Sequence, residues 1–89
     1  MEITEIKIFA VDEKRVKAYS SVVFDECFIV RDLKVIQGDN KLFVAMPSKR
    51  MKDGSYRDTV HPLNNDMRRK VETSVLEAYD KELNKKKSQ

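Results

Sequence analysis

Apolar residues recur at every second position in two long stretches near the start of the chain. Within Ile3–Val11, one face carries Ile6, Ile8 and Ala10. The stretch Arg15–Phe24 alternates in the same way and places five residues on one face: Val16, Ala18, Ser20, Val22 and Phe24. Because successive side chains of a strand point to opposite faces, both stretches predict strands with one buried side, joined as a hairpin across a short polar turn.

A third strand is predicted to begin at Cys27, after a two-residue turn at Asp25-Glu26. Its alternation breaks at Arg31-Asp32 and resumes at Leu33, so we expect a bulge or bend at the break. Cys27 lies in an apolar stretch, where the ordinary role of a cysteine is that of a small buried core residue. The sequence Gln37-Gly38-Asp39-Asn40 then predicts a turn.

The fourth strand, Leu42–Met46, carries apolar residues on both faces. That pattern indicates either a central position in the sheet or a face covered by a partner. Pro47 has no N–H to donate, so regular pairing is expected to end there. A basic loop, a turn at Asp53-Gly54 and a short polar strand at Tyr56–Val60 complete this region.

The last part of the chain predicts a helix. Apolar residues recur there at every fourth position: Met67, Val71, Val75, Tyr79 and Leu83. That spacing forms one stripe along a helix, which suits packing on the sheet. Asn64 or Asn65 can cap the first turn.

The fold class is therefore α+β: an antiparallel sheet of four to five strands followed by one C-terminal helix. Residues 1–84 form a single domain, and the basic segment 85–89 has no apolar anchor, so we expect it to be disordered. A small domain buries only about 60% of its unfolded surface. Pairing of two copies through their sheet edges would cover those edges, so we expect a homodimer.

Composition indicates the compartment. Cys27 is the only cysteine, so an intramolecular disulfide is impossible and a reducing compartment is expected. No apolar run approaches the roughly 18 residues of a membrane-spanning helix, and no signal-peptide pattern opens the chain. We expect a cytoplasmic protein with no membrane partner, associated with the nucleoid if it binds DNA.

Side chains suited to catalysis are sparse. His61 is the only histidine, and it precedes a proline, where a turn or capping role is expected. Nucleophilic catalysis needs a base beside the nucleophile, and one Cys with one His cannot supply the usual zinc ligands. Gly38 and Gly54 belong to turns rather than to a phosphate-binding loop. We expect no catalytic residue, no metal and no cofactor.

Basic residues concentrate in the second half of the chain. Residues 1–46 carry 7 Lys or Arg against 8 Asp or Glu, whereas residues 47–89 carry 11 against 7. Such an asymmetry is expected of a surface that binds a polyanion. Basic side chains that lie in water on a loop and a helix, without binding a polyanion, would give the same count.

The first basic cluster lies between the fourth strand and the short polar strand. It consists of Lys49, Arg50 and Lys52, with Arg57 on the strand that follows. Beside Arg57, the ring of Tyr56 offers a surface on which a base could stack. Packing against a neighbouring strand is the more common role of such a tyrosine.

The second basic cluster, Arg68-Arg69-Lys70, lies in the first two turns of the helix. Cations there oppose the helix dipole, at about 0.3–1 kcal/mol each when exposed. A sequence selected only for stability would carry acids instead, so we interpret the cluster as a site where helix N–H groups and guanidinium groups meet one phosphate. In the alternative, Arg68 pairs with Glu72 and the other two cations only face water.

The middle of the chain also resembles the signature of a bacterial family. The run Leu42–Arg50 (LFVAMPSKR), followed by Asp53-Gly54, Arg57-Asp58 and His61–Asn64 (HPLN), is similar to the motif of the SpoVG family, the stage V sporulation G or septation proteins. The resemblance extends over nearly the whole chain.

The resemblance implies a small dimeric α+β protein of the bacterial cytoplasm that binds DNA and RNA. It also implies a regulator of gene expression linked to septation in cell division and, in spore formers, to sporulation. Members occur in bacteria that make no spores, so the name alone does not establish sporulation. By this resemblance, Ser48, Lys49 and Arg50 match the family's basic loop and Arg57 matches its arginine in the short strand. Arg68 and Lys70 match basic positions that recur in its helix.

Three departures from the family pattern occur. Lys41 stands where glycine is usual, Met51-Lys52 replaces a common Thr-Pro, and Arg31 stands where histidine is frequent. The first two departures change the expected loop backbone. Lys52 also adds a cation to the basic loop.

The sequence therefore predicts a site-selective or weakly specific DNA- or RNA-binding regulator. Phosphate contacts are assigned to seven cations: Lys49, Arg50, Lys52, Arg57, Arg68, Arg69 and Lys70. Arg50 or Arg69 would read base edges, because an arginine fork can bind guanine bidentately. The alternative is a protein–protein adaptor in cell division or metabolism, with no direct role in binding nucleic acid.

Overall fold

A computed structural model describes residues 1–87, with side chains described through residue 85. Its elements are β1 Ile3–Ala10, β2 Val16–Phe24, β3 Phe28–Gln37, β4 Leu42–Ala45, β5 Ser48–Arg50, β6 Tyr56–Asp58 and α1 Asn65–Lys87. Strands β1 to β4 form one antiparallel sheet in chain order, and β5 pairs with β6 as a separate hairpin. The predicted α+β class is confirmed.

One face of the four-stranded sheet, the inner face, packs against α1. Leu33 and Val35 of β3 and Val75 of the helix are essentially inaccessible to solvent at its centre. Burial of each such side chain contributes about 1.5–3 kcal/mol before entropy is counted. Five residues of the predicted helical stripe belong to or pack against this core, namely Met67, Val71, Val75, Tyr79 and Leu83, so the stripe is confirmed. Within the described residues, no helix is long and apolar enough to cross a membrane.

The predicted bulge in β3 is present. Ser20 pairs with Leu33 while Val22 pairs with Val30, so β3 has one residue more than β2 between these pairs. Asp32 in the bulge has a positive φ of 67°. In a regular strand, Val30 and Leu33 would point to opposite faces, because side chains alternate and the two residues are an odd number of positions apart. The extra residue of the bulge places both on the inner face.

A second bulge, in β2, corrects one expectation. Val16 pairs with Ile36, whereas Ala18 pairs with the adjacent Val35, so Lys17 is the additional residue. Residues directly opposite each other share a face. Val16 therefore lies with Ile36 on the outer face of the sheet, not on the inner face that the alternation predicted.

The β2–β3 turn corrects the expectation for Cys27. The N–H of Cys27 donates to the carbonyl of Phe24 at 3.0 Å, and Asp25 and Glu26 between them have φ values of 50° and 55°. Two central residues with positive φ characterise the type I′ turn of a tight hairpin. Cys27 is thus an exposed turn residue rather than a core residue, because β3 begins one position later.

Strand β4 lies at an edge of the sheet, since it pairs only with β3. The expectation of a central position is therefore wrong for a single chain, and coverage by a partner remains a prediction. Gly38 closes the preceding turn with its N–H donated to the Lys41 carbonyl at 2.9 Å. A Cβ at this position would lie 3.0 Å from that same oxygen, so glycine avoids a tight contact in the turn.

Asn64 caps the helix. Its side-chain Oδ1 accepts the N–H of Met67 at 2.8 Å, which satisfies one of the free donors of the first turn. The helix extends to Lys87 and so includes the first residues of the segment predicted to be disordered. Ser88 and Gln89 lie outside the described residues, and the domain boundary at residue 84 remains a prediction.

Candidate nucleic-acid interface

The β5–β6 hairpin, here called the basic hairpin, extends from the sheet after Pro47. The carbonyl of Pro47 accepts both the N–H of Thr59 at 2.8 Å and its hydroxyl at 3.2 Å, which closes the base of the hairpin. Residues 48–50, expected to form a loop, are strand β5. The strand escaped detection because three consecutive polar residues carry no alternation of apolar side chains.

Asp53 organises the tip of the basic hairpin. Its carboxylate accepts the hydroxyl of Ser55 at 2.6 Å and the Ser55 N–H at 2.9 Å. These two hydrogen bonds, of which the one from the Ser55 hydroxyl has the larger effect, hold the pKa of Asp53 below its usual value. The carboxyl group is therefore ionised at neutral pH. Gly54 follows with a φ of 88°, in the region that favours glycine.

The register of the basic hairpin brings two predicted site residues together. Lys49 lies directly opposite Arg57, and both are exposed. Within residues 1–85, no carboxylate forms an ion pair with either cation. Like charges directly opposite each other destabilise a strand pair, so this arrangement does not stabilise the free protein and suits an external anion.

The other face of the basic hairpin places Arg50 opposite Tyr56. Tyr56 is 70% exposed, so its ring is largely open to solvent rather than packed in the core. Lys52 is exposed beside the tip turn. One short hairpin thus carries four cations and one accessible aromatic ring, each of them predicted to contact nucleic acid.

The helix cations do not form a single patch. Consecutive residues of an α-helix are about 100° apart, so Arg68, Arg69 and Lys70 point in three directions. Arg68 is half-buried and Arg69 is exposed, while the ammonium of Lys70 donates to the carbonyl of Met1 at 3.0 Å. Among the described side chains, Arg68 and Glu72 form no ion pair, which leaves the alternative role proposed for Arg68 without support.

The two side chains considered for catalysis, His61 and Cys27, lie in different connections of the chain. A ring nitrogen of His61, Nδ1, lies 2.9 Å from the carbonyl oxygen of Pro62 in the connection to the helix. Cys27 lies in the β2–β3 turn. In the described part of the chain, no group of three His, Cys, Asp or Glu residues is placed to hold a metal ion.

The opposition of Lys49 and Arg57 was not predicted from the sequence. Both residues are four positions from Asp53, one before it and one after it. A hairpin centred on a turn at Asp53 pairs residues at equal distances from that centre. A two-residue turn at Asp53-Gly54 would instead pair Lys49 with Asp58, so the turn signal in the sequence does not give the observed register.

Comparison with known proteins agrees with the resemblance in sequence. The SpoVG family model matches residues 1–81. The "Putative septation protein SpoVG" of Bdellovibrio bacteriovorus is 59% identical over 83 residues, which cover 93% of this chain and 77% of that protein. The protein of the same name from Anaeromyxobacter sp. (strain K) is 54% identical over 85 residues, covering 96% of this chain and 84% of that protein. The chain therefore belongs to the SpoVG family.

Proposed function

We propose that this chain is a site-selective or weakly specific DNA- or RNA-binding regulator of gene expression. Its affinity would come mainly from phosphate contacts made by the basic hairpin. The observation that carries the proposal is the exposed pair Lys49 and Arg57, two opposed cations without a carboxylate partner among the described residues. A polyphosphate backbone supplies the missing negative charge.

Two further features of the basic hairpin support a nucleic acid rather than a small anion. Arg50 and Tyr56 lie opposite each other on the second face, so a guanidinium group and an exposed ring occur together. An arginine can read the edge of guanine, and a tyrosine can stack on an unpaired base. The hydrogen bonds at both ends of the hairpin hold these groups in place before binding.

The cations of the helix would extend this surface. Arg68 and Arg69 have no ion-pair partner among the described residues and follow a capped helix start. Lys70 retains two of its three ammonium donors beyond its bond to Met1. The proposed contacts therefore include Arg68, Arg69 and Lys70 as a secondary set.

The regulator would act as a homodimer in the cytoplasm. Strand β1 pairs only with β2, and β4 only with β3, so both leave one edge unpaired in the described sheet. Pairing through an edge would satisfy these backbone groups and double the basic surface. The name of the relatives, septation protein, supports a role in cell division. No catalytic activity belongs to this proposal.

Binding of labelled duplex DNA and single-stranded RNA, measured by fluorescence anisotropy, tests the proposal. Between about 50 and 200 mM salt, four phosphate contacts to duplex DNA should weaken the apparent affinity by about 100-fold. Absence of binding to both polymers at low salt would contradict the proposal. It would favour the alternative, an adaptor that binds another protein.

A further inference from the structure

The basic hairpin projects from the rest of the molecule as a two-stranded ribbon. Residues 48–60 are all exposed, and neither β5 nor β6 contacts another element of the described chain. Hydrogen bonds close the ribbon at both ends, from the N–H of Thr59 to the carbonyl of Pro47 at the base and from the N–H of Met51 to the carbonyl of Ser55 at the tip. Both faces of the ribbon are therefore accessible to a ligand.

The two faces of the ribbon differ in their chemistry. Side chains alternate along a strand, and directly opposed residues share a face. One face, here called the cationic face, carries Lys49 and Arg57. The other, here called the mixed face, carries two opposed pairs, Arg50 with Tyr56 and Ser48 with Asp58. The cationic face offers only hydrogen-bond donors, whereas the mixed face offers donors and acceptors.

Asp58 indicates what each face can contact. Its carboxylate lies on the mixed face, with no ion-pair partner in the part of the chain that the structure describes. Such a group repels phosphate but can accept the amino group of cytosine. The other acid of the hairpin, Asp53, lies at the tip and is engaged by Ser55, and four cations against these two acids leave the hairpin positive. The mixed face therefore suits base edges, and the cationic face suits phosphates.

The dimensions of the ribbon match the major groove of B-form DNA. Paired strands lie about 4.8 Å apart, and the major groove, about 12 Å wide and about 8.5 Å deep, admits a two-stranded ribbon. Three residues in each strand rise about 10 Å, which corresponds to about three base-pair steps. With the mixed face toward the bases, Lys49 and Arg57 lie at the rim of the groove on different strands, one beside each phosphate backbone.

Other forms of nucleic acid do not offer this groove. The undistorted minor groove is only about 6 Å wide. Double-stranded RNA has a deep, narrow major groove whose bases side chains cannot read. A single strand has no groove, and of the mixed face it would use mainly the ring of Tyr56, by stacking. Duplex DNA is the polymer that engages both faces of the ribbon.

We propose that the basic hairpin is a β-ribbon that enters the major groove of duplex DNA, where Arg50 reads guanine while Lys49 and Arg57 contact the two phosphate backbones. This inference rests on the proposed function and deepens it, because it names the polymer and the groove. It changes the role of Arg50 from a phosphate contact to a base contact. It also assigns base reading to Arg50 rather than to Arg69, which lies on α1 outside the ribbon.

Replacement of guanine by 7-deazaguanine tests the groove, because it removes the N7 acceptor from the major groove and leaves the phosphates and the minor groove unchanged. Two labelled DNA duplexes of the same mixed sequence, with and without the replacement, are titrated by anisotropy. The replacement should weaken binding of the wild-type protein about fivefold or more. Equal affinity for the two duplexes would overturn the ribbon.

Two matched substitutions test the assignment of the faces. Arg50→Ala and Lys49→Ala each remove one exposed cation from β5, on opposite faces, and thermal unfolding checks that both variants fold. Arg50→Ala should bind the two duplexes equally and keep the wild-type salt dependence. Lys49→Ala should keep the preference for unmodified DNA, with a slope of log K against log salt that is shallower by about 0.9. Exchange of these two results between the variants would overturn the assignment.

The remaining outcomes separate the two proposals. If the wild-type protein binds neither duplexes nor single strands, the proposed function fails and the ribbon fails with it. If an RNA duplex loses as much affinity as the DNA duplex when it carries 7-deazaguanine, the ribbon alone is overturned. If single-stranded DNA binds more tightly than the duplex and Tyr56→Ala removes that preference, the hairpin stacks unpaired bases, and the ribbon is again overturned.

Discussion

Lys49 of β5 lies directly opposite Arg57 of β6, so the basic hairpin presents two exposed like charges side by side. The hairpin tolerates their repulsion because it is held elsewhere, at its tip by Asp53 and Ser55 and at its base by Pro47 and Thr59. Stability does not explain this pair. The proposed binding of an anion would explain it.

Reversing one charge should therefore separate stability from binding. Lys49→Glu replaces the repulsion with an opposite-charge pair, which should stabilise the hairpin by about 0.5 kcal/mol while weakening nucleic-acid binding. Amide hydrogen exchange of Met51 and Thr59, whose N–H groups donate across the hairpin, should slow. Lys14→Glu, in an exposed position of the β1–β2 turn, is the control. Faster exchange in Lys49→Glu would contradict this interpretation.

The stability of the tip turn should fall in acid but should not change with pH around neutrality. The Ser55 hydroxyl and N–H lower the pKa of Asp53 in the folded state, so its ionised form stabilises the turn. That contribution is complete above the unfolded pKa of about 3.9 and is lost as the pH falls through the lower folded value. The amide resonance of Ser55, followed by NMR, should stay constant from about pH 5 to 8. A midpoint above the ordinary aspartate value would contradict the assignment.

Loss of the helix cap should destabilise the whole domain. Asn64→Ala removes the acceptor of the Met67 N–H and should lower the free energy of unfolding by about 1 kcal/mol, as measured by urea denaturation. Asn65→Ala is the matched control, because Asn65 is the first residue of the helix and not its cap. Equal losses in both variants would mean that the cap is not the cause.

The cations of the helix should contribute unequally to nucleic-acid binding. Arg68→Ala combined with Arg69→Ala should weaken binding to all sequences and flatten its salt dependence without unfolding the domain, because neither side chain has an ion-pair partner among the described residues. Lys70→Ala should affect binding less, since its ammonium is partly engaged by the Met1 carbonyl. Anisotropy titrations across a salt series measure both effects. Unchanged affinity and slope in the double variant would remove the helix start from the site.

Much of the fold could be predicted because burial imposes periodicity. Alternation identified the long strands, its interruption located the bulge at Arg31-Asp32, and the four-residue spacing identified the stripe of α1. Asn64 was one of two cap candidates, and its bond to Met67 decided between them. Each of these features follows from contacts between neighbours in sequence or from one buried face.

The sequence-based predictions were wrong where strand pairing, rather than the burial of apolar side chains, determines the position of a residue or strand. The bulge at Lys17 moved Val16 to the outer face, and no break in alternation announced it. The edge position of β4 depends on which strands pair. In the candidate site, the charges of Lys49 and Arg57 were evident in the sequence, but their opposition needed the hairpin register. Strands of three polar residues leave little signal for that register.

The most direct test of the central claim compares two double variants that remove the same charge. Lys49→Gln with Arg57→Gln neutralises the opposed pair, and Lys14→Gln with Arg15→Gln neutralises two adjacent exposed cations of the β1–β2 turn. The salt dependence of duplex DNA binding is then measured for both and for the wild type. The slope of log K against log salt should become shallower by about 1.8 for the hairpin variant and should not change for the turn variant. Equal slopes in the two variants would contradict the claim that the basic hairpin contacts phosphate.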